Sequence, residues 1–159
     1  MNLQPASKDN FQLRQAYTLI ELILVVAIIT TLGILSTAFY SRFLTQNAVD
    51  NTIDQLVGSL RKAQIYAMVS RKSGSSGWGV NYKGSSPKKI ILFQGPNFAT
   101  RNTALDEEFH VNENIAISGI SEVNFARVSG LPSSSLTITV AGGNNSKTMT
   151  VNSGGVVSR

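Results

Sequence analysis

The sequence predicts an α+β chain: one long N-terminal α-helix followed by a β-rich head built of antiparallel sheet. Three observations carry this expectation. The 20 residues between Glu21 and Arg42 hold no charge, which is the length of a membrane span. Beyond them an apolar stripe continues at helical period, and past residue 77 the period falls from 3.6 to 2. With 159 residues, 42% of them hydrophobic, the chain is large enough for one domain with a core of its own. The boundaries implied are a leader over 1–16, a spanning helix over 17–40, an amphipathic helical half over 41–72 and a head over 73–159.

The leader, MNLQPASKDNFQLRQA, sets Lys8 and Arg14 against Asp9, and Pro5 opposes a helix through it. Lys8 and Arg14 outnumber Arg42, the one basic residue just beyond the apolar segment, so the N-terminal side is expected to stay cytoplasmic. Leu22 to Phe39 reads LILVVAIITTLGILSTAF, with Gly33 as its one helix-weakening residue, and local unwinding is expected there. Val49, Ile53, Leu56, Leu60, Ala63 and Ala67 then follow spacings of 4, 3, 4, 3 and 4, with polar residues between them. A helix from about Tyr17 to Ser70 would be about 80 Å long. Its first half is apolar nearly all round and its second is amphipathic, as suits a helix that starts in lipid and ends packed on a head. Arg71 and Lys72 complement the dipole at its C-terminus, and Ser73-Gly74-Ser75-Ser76-Gly77 is expected to stop it.

Strands are expected over Trp78-Val80-Tyr82, Lys89 to Gln94, Glu108 to Val111, Ile115 to Ser118, Glu122 to Val128, Leu136 to Val140 and Lys147 to Val151, with a short end at Val156-Val157. Leu136, Ile138 and Val140 alternate with Thr137 and Thr139, the mark of a half-buried strand. The run Ala141-Gly142-Gly143-Asn144-Asn145 turns the chain back toward Met149 and Val151 as a hairpin.

Composition excludes several chemistries. With no Cys there is no disulfide, cysteine zinc site or thiol nucleophile. The single His110 excludes any site needing two imidazoles and reads as a solvated strand position. Asp106-Glu107-Glu108 lacks the Asx-Gly spacing of a calcium loop and reads as an acidic loop. The Ser-rich runs at 73–76 and 133–135 contain no nucleophile elbow, and Asn144-Asn145-Ser146 is a glycosylation sequon by pattern alone. No catalytic residue, metal or cofactor is expected, and the chain is not read as an enzyme.

Two processing schemes compete at the N-terminus. A signal-peptide cut after Ser36-Thr37-Ala38 would release a head beginning near Phe39. The apolar region is longer than a usual signal core, however, and it opens on a carboxylate, Glu21. An acid in a spanning helix costs about 2.5 to 3.5 kcal/mol at the bilayer centre and less toward an end, so it marks a partner. A cut between Ala16 and Tyr17 would supply one: a new α-amino group four residues before Glu21, one helical turn away on the same face. The two groups could pair within one chain or between neighbours packed side by side with an axial offset.

The run Ala16-Tyr17-Thr18-Leu19-Ile20-Glu21-Leu22 before an uncharged stretch closely resembles the processing motif of type IV pilins and type II secretion pseudopilins. The match covers Ala16 to Phe39, about a quarter of the chain. The resemblance implies that a prepilin peptidase cuts before Tyr17 and methylates the new amine, and that Glu21 pairs with a neighbouring subunit's terminus during filament assembly. It also implies a bacterial inner membrane crossed once with the head outside, an assembly platform in that membrane, other pilin or pseudopilin subunits as partners, and a filament as the destination. Ala16 stands where the family usually has Gly and Tyr17 where it usually has Phe. No proline lies between Pro5 and Pro87, whereas many major pilins carry one late in the apolar half. Further short matches, Leu60 to Met68, a Trp-Gly segment, Val-Asn-Phe-Ala with a following Gly130, and Val-Asn-Ser-Gly-Gly-Val-Val, look like the H-type minor pseudopilins and FimT-like minor pilins. Some FimT-like proteins bind DNA through a C-terminal Gly-Arg basic motif. With only Arg159 at its corresponding end, this chain does not carry that motif.

Residues 61 to 89 nonetheless contain Arg61, Lys62, Arg71, Lys72, Lys83, Lys88 and Lys89 and no acid. Interleaved Tyr66, Trp78 and Tyr82 would let this stretch stack on bases as single-strand binders do, the mark of a DNA-uptake minor pilin. In the plainer reading Arg71 and Lys72 cap a helix while Lys88 and Lys89 guard an edge strand, and this is favoured. The acidic triplet at 106 to 108 is then available to the basic stretch of a neighbouring subunit.

Overall fold

A computed structural model describes residues 17–71 and 76–159, giving the backbone alone for 35–38. The leader, Ala16, Lys72 and Ser73 to Ser75 lie outside the described residues, as do the side chains of Ser36, Thr37 and Ala38. The architecture is α+β: helix α1 (Leu19–Met68) precedes eight strands arranged as two antiparallel sheets. The contacts divide the chain into two units, residues up to Tyr40 and Ser41–Arg159.

In the first unit the helix is straightforward to account for. Leu, Ile, Val and Ala dominate, and the helix runs through Gly33 without a break. The unwinding expected at Gly33 is absent, since one glycine costs only about 1 kcal/mol among strong neighbours. Two threonines in this run satisfy their own hydroxyls: Thr31 donates to the carbonyl of Ala27 at 2.7 Å, and Thr30 to that of Val26. In lipid this removes the penalty of an unpaired hydroxyl.

In the second unit the helix becomes one wall of the core. Val49, Ile53, Leu56, Leu60, Ala63 and Ala67 are all buried, as their spacing requires. Thr52, Val57, Ser59 and Tyr66 are buried with them, so the covered face is wider than one stripe. The helix ends earlier than expected, at Met68. Ser70, in the left-handed region at φ 48°, ends it before the Ser-Gly run.

The first sheet contains β1 (Trp78–Lys83), β2 (Lys89–Gln94), β3 (Glu107–His110) and β5 (Glu122–Phe125) in the order β3-β2-β1-β5. Trp78, Val80, Ile90, Leu92, Val123 and Phe125 fill the side that joins the common core. Ile91 and Phe93, on alternate positions of β2, are buried as well, because the loop after β2 folds back and sets Phe98 edge-on to Phe93 at 5.5 Å. That explains why β2 reads as a continuous apolar run. The second sheet contains β4 (Ile115–Ser118), β6 (Leu136–Gly142), β7 (Asn145–Val151) and β8 (Val157–Ser158) in the order β4-β6-β7-β8. Its inner positions are Ile115, Ile117, Ile138, Val140, Met149, Val151 and Val157. Its outer face is a ladder of hydroxyls, with Thr139 and Thr148 at 3.4 Å and Thr150 and Ser158 at 2.8 Å.

Of the boundaries that differ from expectation, three bear on the site and the core. The β6–β7 hairpin closes with two residues, Gly143 and Asn144, because Gly142 and Asn145 still pair; Gly143 takes φ +56°, the glycine-first pattern of a tight hairpin turn. Glu107 joins β3, so Glu107 and Glu108 lie on a strand and not in a loop. Strand β5 stops at Phe125, three residues short of Val128. Val128 adopts φ 70°, uncommon for a β-branched residue, and donates its N–H to the carbonyl of Ala67 at 3.0 Å. The turn thus adds a second donor to a carbonyl at the helix end that already accepts from the Ser70 N–H at 3.2 Å.

Candidate functional site

The N-terminal motif is built on a helix start. Thr18 precedes the first helical residue; its carbonyl accepts from the Leu22 N–H at 3.2 Å and its hydroxyl from the Glu21 N–H at 3.4 Å. Thr18-Leu19-Ile20-Glu21 therefore has the spacing of a capping box, with Glu21 in the first turn, where the helix dipole favours negative charge. This signal was present in the sequence and is distinct from the processing motif it overlaps. Tyr17 is exposed, and Glu21, also exposed, has no ion-pair partner among the described residues.

Around it the surface is apolar. Leu19, Ile20, Leu22, Ile23, Leu24, Val25 and Val26 stand between 47% and 76% exposed, far more apolar side chain than a helix in water presents. The helix near the N-terminus is long and apolar enough to cross a membrane. A carboxylate placed in its first turn, on the positive end of the dipole, is tolerated there better than anywhere further along.

The basic stretch is a different kind of surface from the one its sequence suggests. Lys62 pairs with Glu107, and Lys89 with Glu108. The ammonium of Lys88 donates to the carbonyls of Glu113 and Ile115 at 2.7 and 2.8 Å. Arg71 lies over the Tyr66 ring at 4.2 Å. Arg61 and Lys83 are exposed and without a carboxylate partner among the described residues, while Lys72 lies outside them. The acidic triplet thus neutralises cations of its own chain, with Asp106 taking Arg101 at 2.8 Å. The ion pairs leave a mark on titration. The hydrogen bond from Lys89 holds the Glu108 carboxyl below its ordinary value, and the one to Glu107 holds the Lys62 ammonium above its own.

The aromatic residues are also committed elsewhere. Trp78 is 1% exposed and meets Tyr66, itself buried, edge to face at 4.9 Å. Neither ring is available to a base. Tyr82 is half-buried, and burial raises its hydroxyl above the ordinary value. His110 is exposed on β3 opposite Lys89. No group of three or more His, Cys, Asp or Glu that could hold a metal is found among the described residues. Comparison with family models, with curated proteins and with solved structures returned no match.

Proposed function

We propose that this chain is a filament-forming, pilin-like subunit of a type IV pilus or a type II secretion pseudopilus, anchored in the membrane by α1 and displaying its β head outside. The observation that carries this reading is the motif from Ala16 to Glu21, joined to an exposed apolar helix that continues into the core of a β head. Cutting before Tyr17 places a cationic amine at the positive end of the helix dipole, an unfavourable position for it. A carboxylate four residues on compensates both charges. Pairing Glu21 with a neighbour's amine as the helices leave lipid for one another fixes the axial register, because burying either charge alone would be costly.

The second reading, DNA uptake through residues 61 to 89, has less support. Lys62, Lys88 and Lys89 are engaged within the chain, and Tyr66 and Trp78 are buried.

The test is Glu21→Gln. A charge-assisted hydrogen bond contributes about 1.5 to 3 kcal/mol, so incorporation into filaments falls by about tenfold or more while peptidase processing continues. Undiminished incorporation of the variant would remove the register role.

A further inference from the structure

Between helix residues 41–46 and the β6–β7 turn lies a cleft of about 490 Å³. It is lined by Ser41, Arg42, Thr45 and Gln46 from the helix and by Gly143, Asn144 and Asn145 from the turn. The turn approaches so closely that a Cβ on Gly143 would stand 3.3 Å from the Thr45 methyl. Hydroxyls and amides make up the polar wall, and none of the lining residues is acidic. Arg42 supplies its one charge, and among the described residues it has no carboxylate partner. Elsewhere in this unit Lys62, Lys89, Arg101, Lys147 and Arg159 each meet an acid, and Arg42 does not.

The place of this cleft along the chain gives its ligand. Arg42 is the first charge after the 20 uncharged residues that follow Glu21, about 30 Å of helix, the thickness of the hydrocarbon core. Its guanidinium therefore reaches the headgroup layer on the head side. Phe43 and Leu44, the next two residues, are 59% and 50% exposed, apolar surface suited to that boundary. The volume exceeds what one phosphate needs and falls in the range of about 300–1,000 Å³ that holds a drug-sized molecule.

We propose that this cleft binds the headgroup of an anionic phospholipid, with Arg42 on the phosphate and Gln46, Asn144 and Asn145 on the polyol beyond it. This rests on the membrane-anchored reading of α1. A lipid seated here would orient the head on the bilayer before the subunit leaves it.

The shared chemistry is a phosphate ester, and the experiment separates its sources. Full-length protein purified in detergent is given phosphatidylglycerol, and retained lipid is measured by native mass spectrometry, with inorganic phosphate as competitor. Wild type is expected to retain one lipid against excess phosphate. Arg42→Gln lowers retention about tenfold, the loss of one charge-assisted contact, and Arg42→Lys recovers part of it; Asn145→Asp lowers retention too, by setting a carboxylate in a cleft that holds an anion. Retention by Arg42→Gln and Asn145→Asp equal to wild type overturns the proposal, as does displacement of the lipid by inorganic phosphate. Flotation of every variant with phosphatidylglycerol vesicles keeps the two readings apart. Chains that float but show no dependence on Arg42 refute the cleft alone, whereas chains that fail to float refute the anchored reading beneath it.

Discussion

Replacing Leu60 by Ala tests whether the second half of α1 is part of the head's core or an attachment to it. Leu60 is fully buried within a cluster that draws on the helix and on both sheets. A leucine removed from such a site leaves a cavity that surrounding side chains fill only in part, and the usual loss is 2 to 5 kcal/mol; about 3 kcal/mol is expected here. With a urea slope of about 1.5 kcal/mol/M, the unfolding midpoint falls by about 2 M. The assay is built in. Trp78 is the chain's one tryptophan and lies against Tyr66 from the helix, so its emission follows the opening of the helix–sheet contact in detergent-solubilised protein. Ile65→Ala is the control on the same helix, at a side chain 52% exposed, and should change stability by less than about 0.5 kcal/mol. Equal midpoints for the two variants would refute the claim that this helix half belongs to the core.

Two further outcomes follow from local geometry. Val128→Asn replaces a β-branched residue in the left-handed region by one that tolerates it, keeps the N–H that bonds Ala67, and should stabilise the head by about 1 kcal/mol in the same urea titration. The Glu108 carboxyl is held below its ordinary value, 4.5, by Lys89, so the stability it contributes is present above that value and is lost as pH falls through the depressed one. Glu108→Gln should therefore flatten the acid limb of the stability profile, and an unchanged acid limb would show that the pair contributes nothing.

Much of this architecture is legible in the sequence where one residue decides one thing. The spacing of Val49 through Ala67 finds the buried helical face because period 3.6 is a local property, and β2 starts at Lys89 and ends at Gln94 as its apolar run indicates. Boundaries set by tertiary contact are not legible in that way. Val128 leaves the strand to reach the carbonyl of Ala67, a partner far away in the chain. The charged surface shows the same limit more sharply. Lys62 and Glu107 are 45 residues apart, and Lys89 and Glu108 are 19 apart, so the sequence presents a basic stretch and an acidic triplet as two separate candidate surfaces. Folding brings them together, and each occupies the other. Tyr66 and Trp78 likewise read as stacking platforms until the core claims them. In contrast, the capping-box spacing of Thr18 and Glu21 lay within four residues and could have been read directly.

The account stands or falls on the new amine. N-terminal mass analysis of the protein matured beside a prepilin peptidase should find a chain that begins at Tyr17 and carries a methyl group on its α-nitrogen. A mature chain that begins at Phe39, or that keeps residues 1 to 16 while still entering filaments, would contradict it.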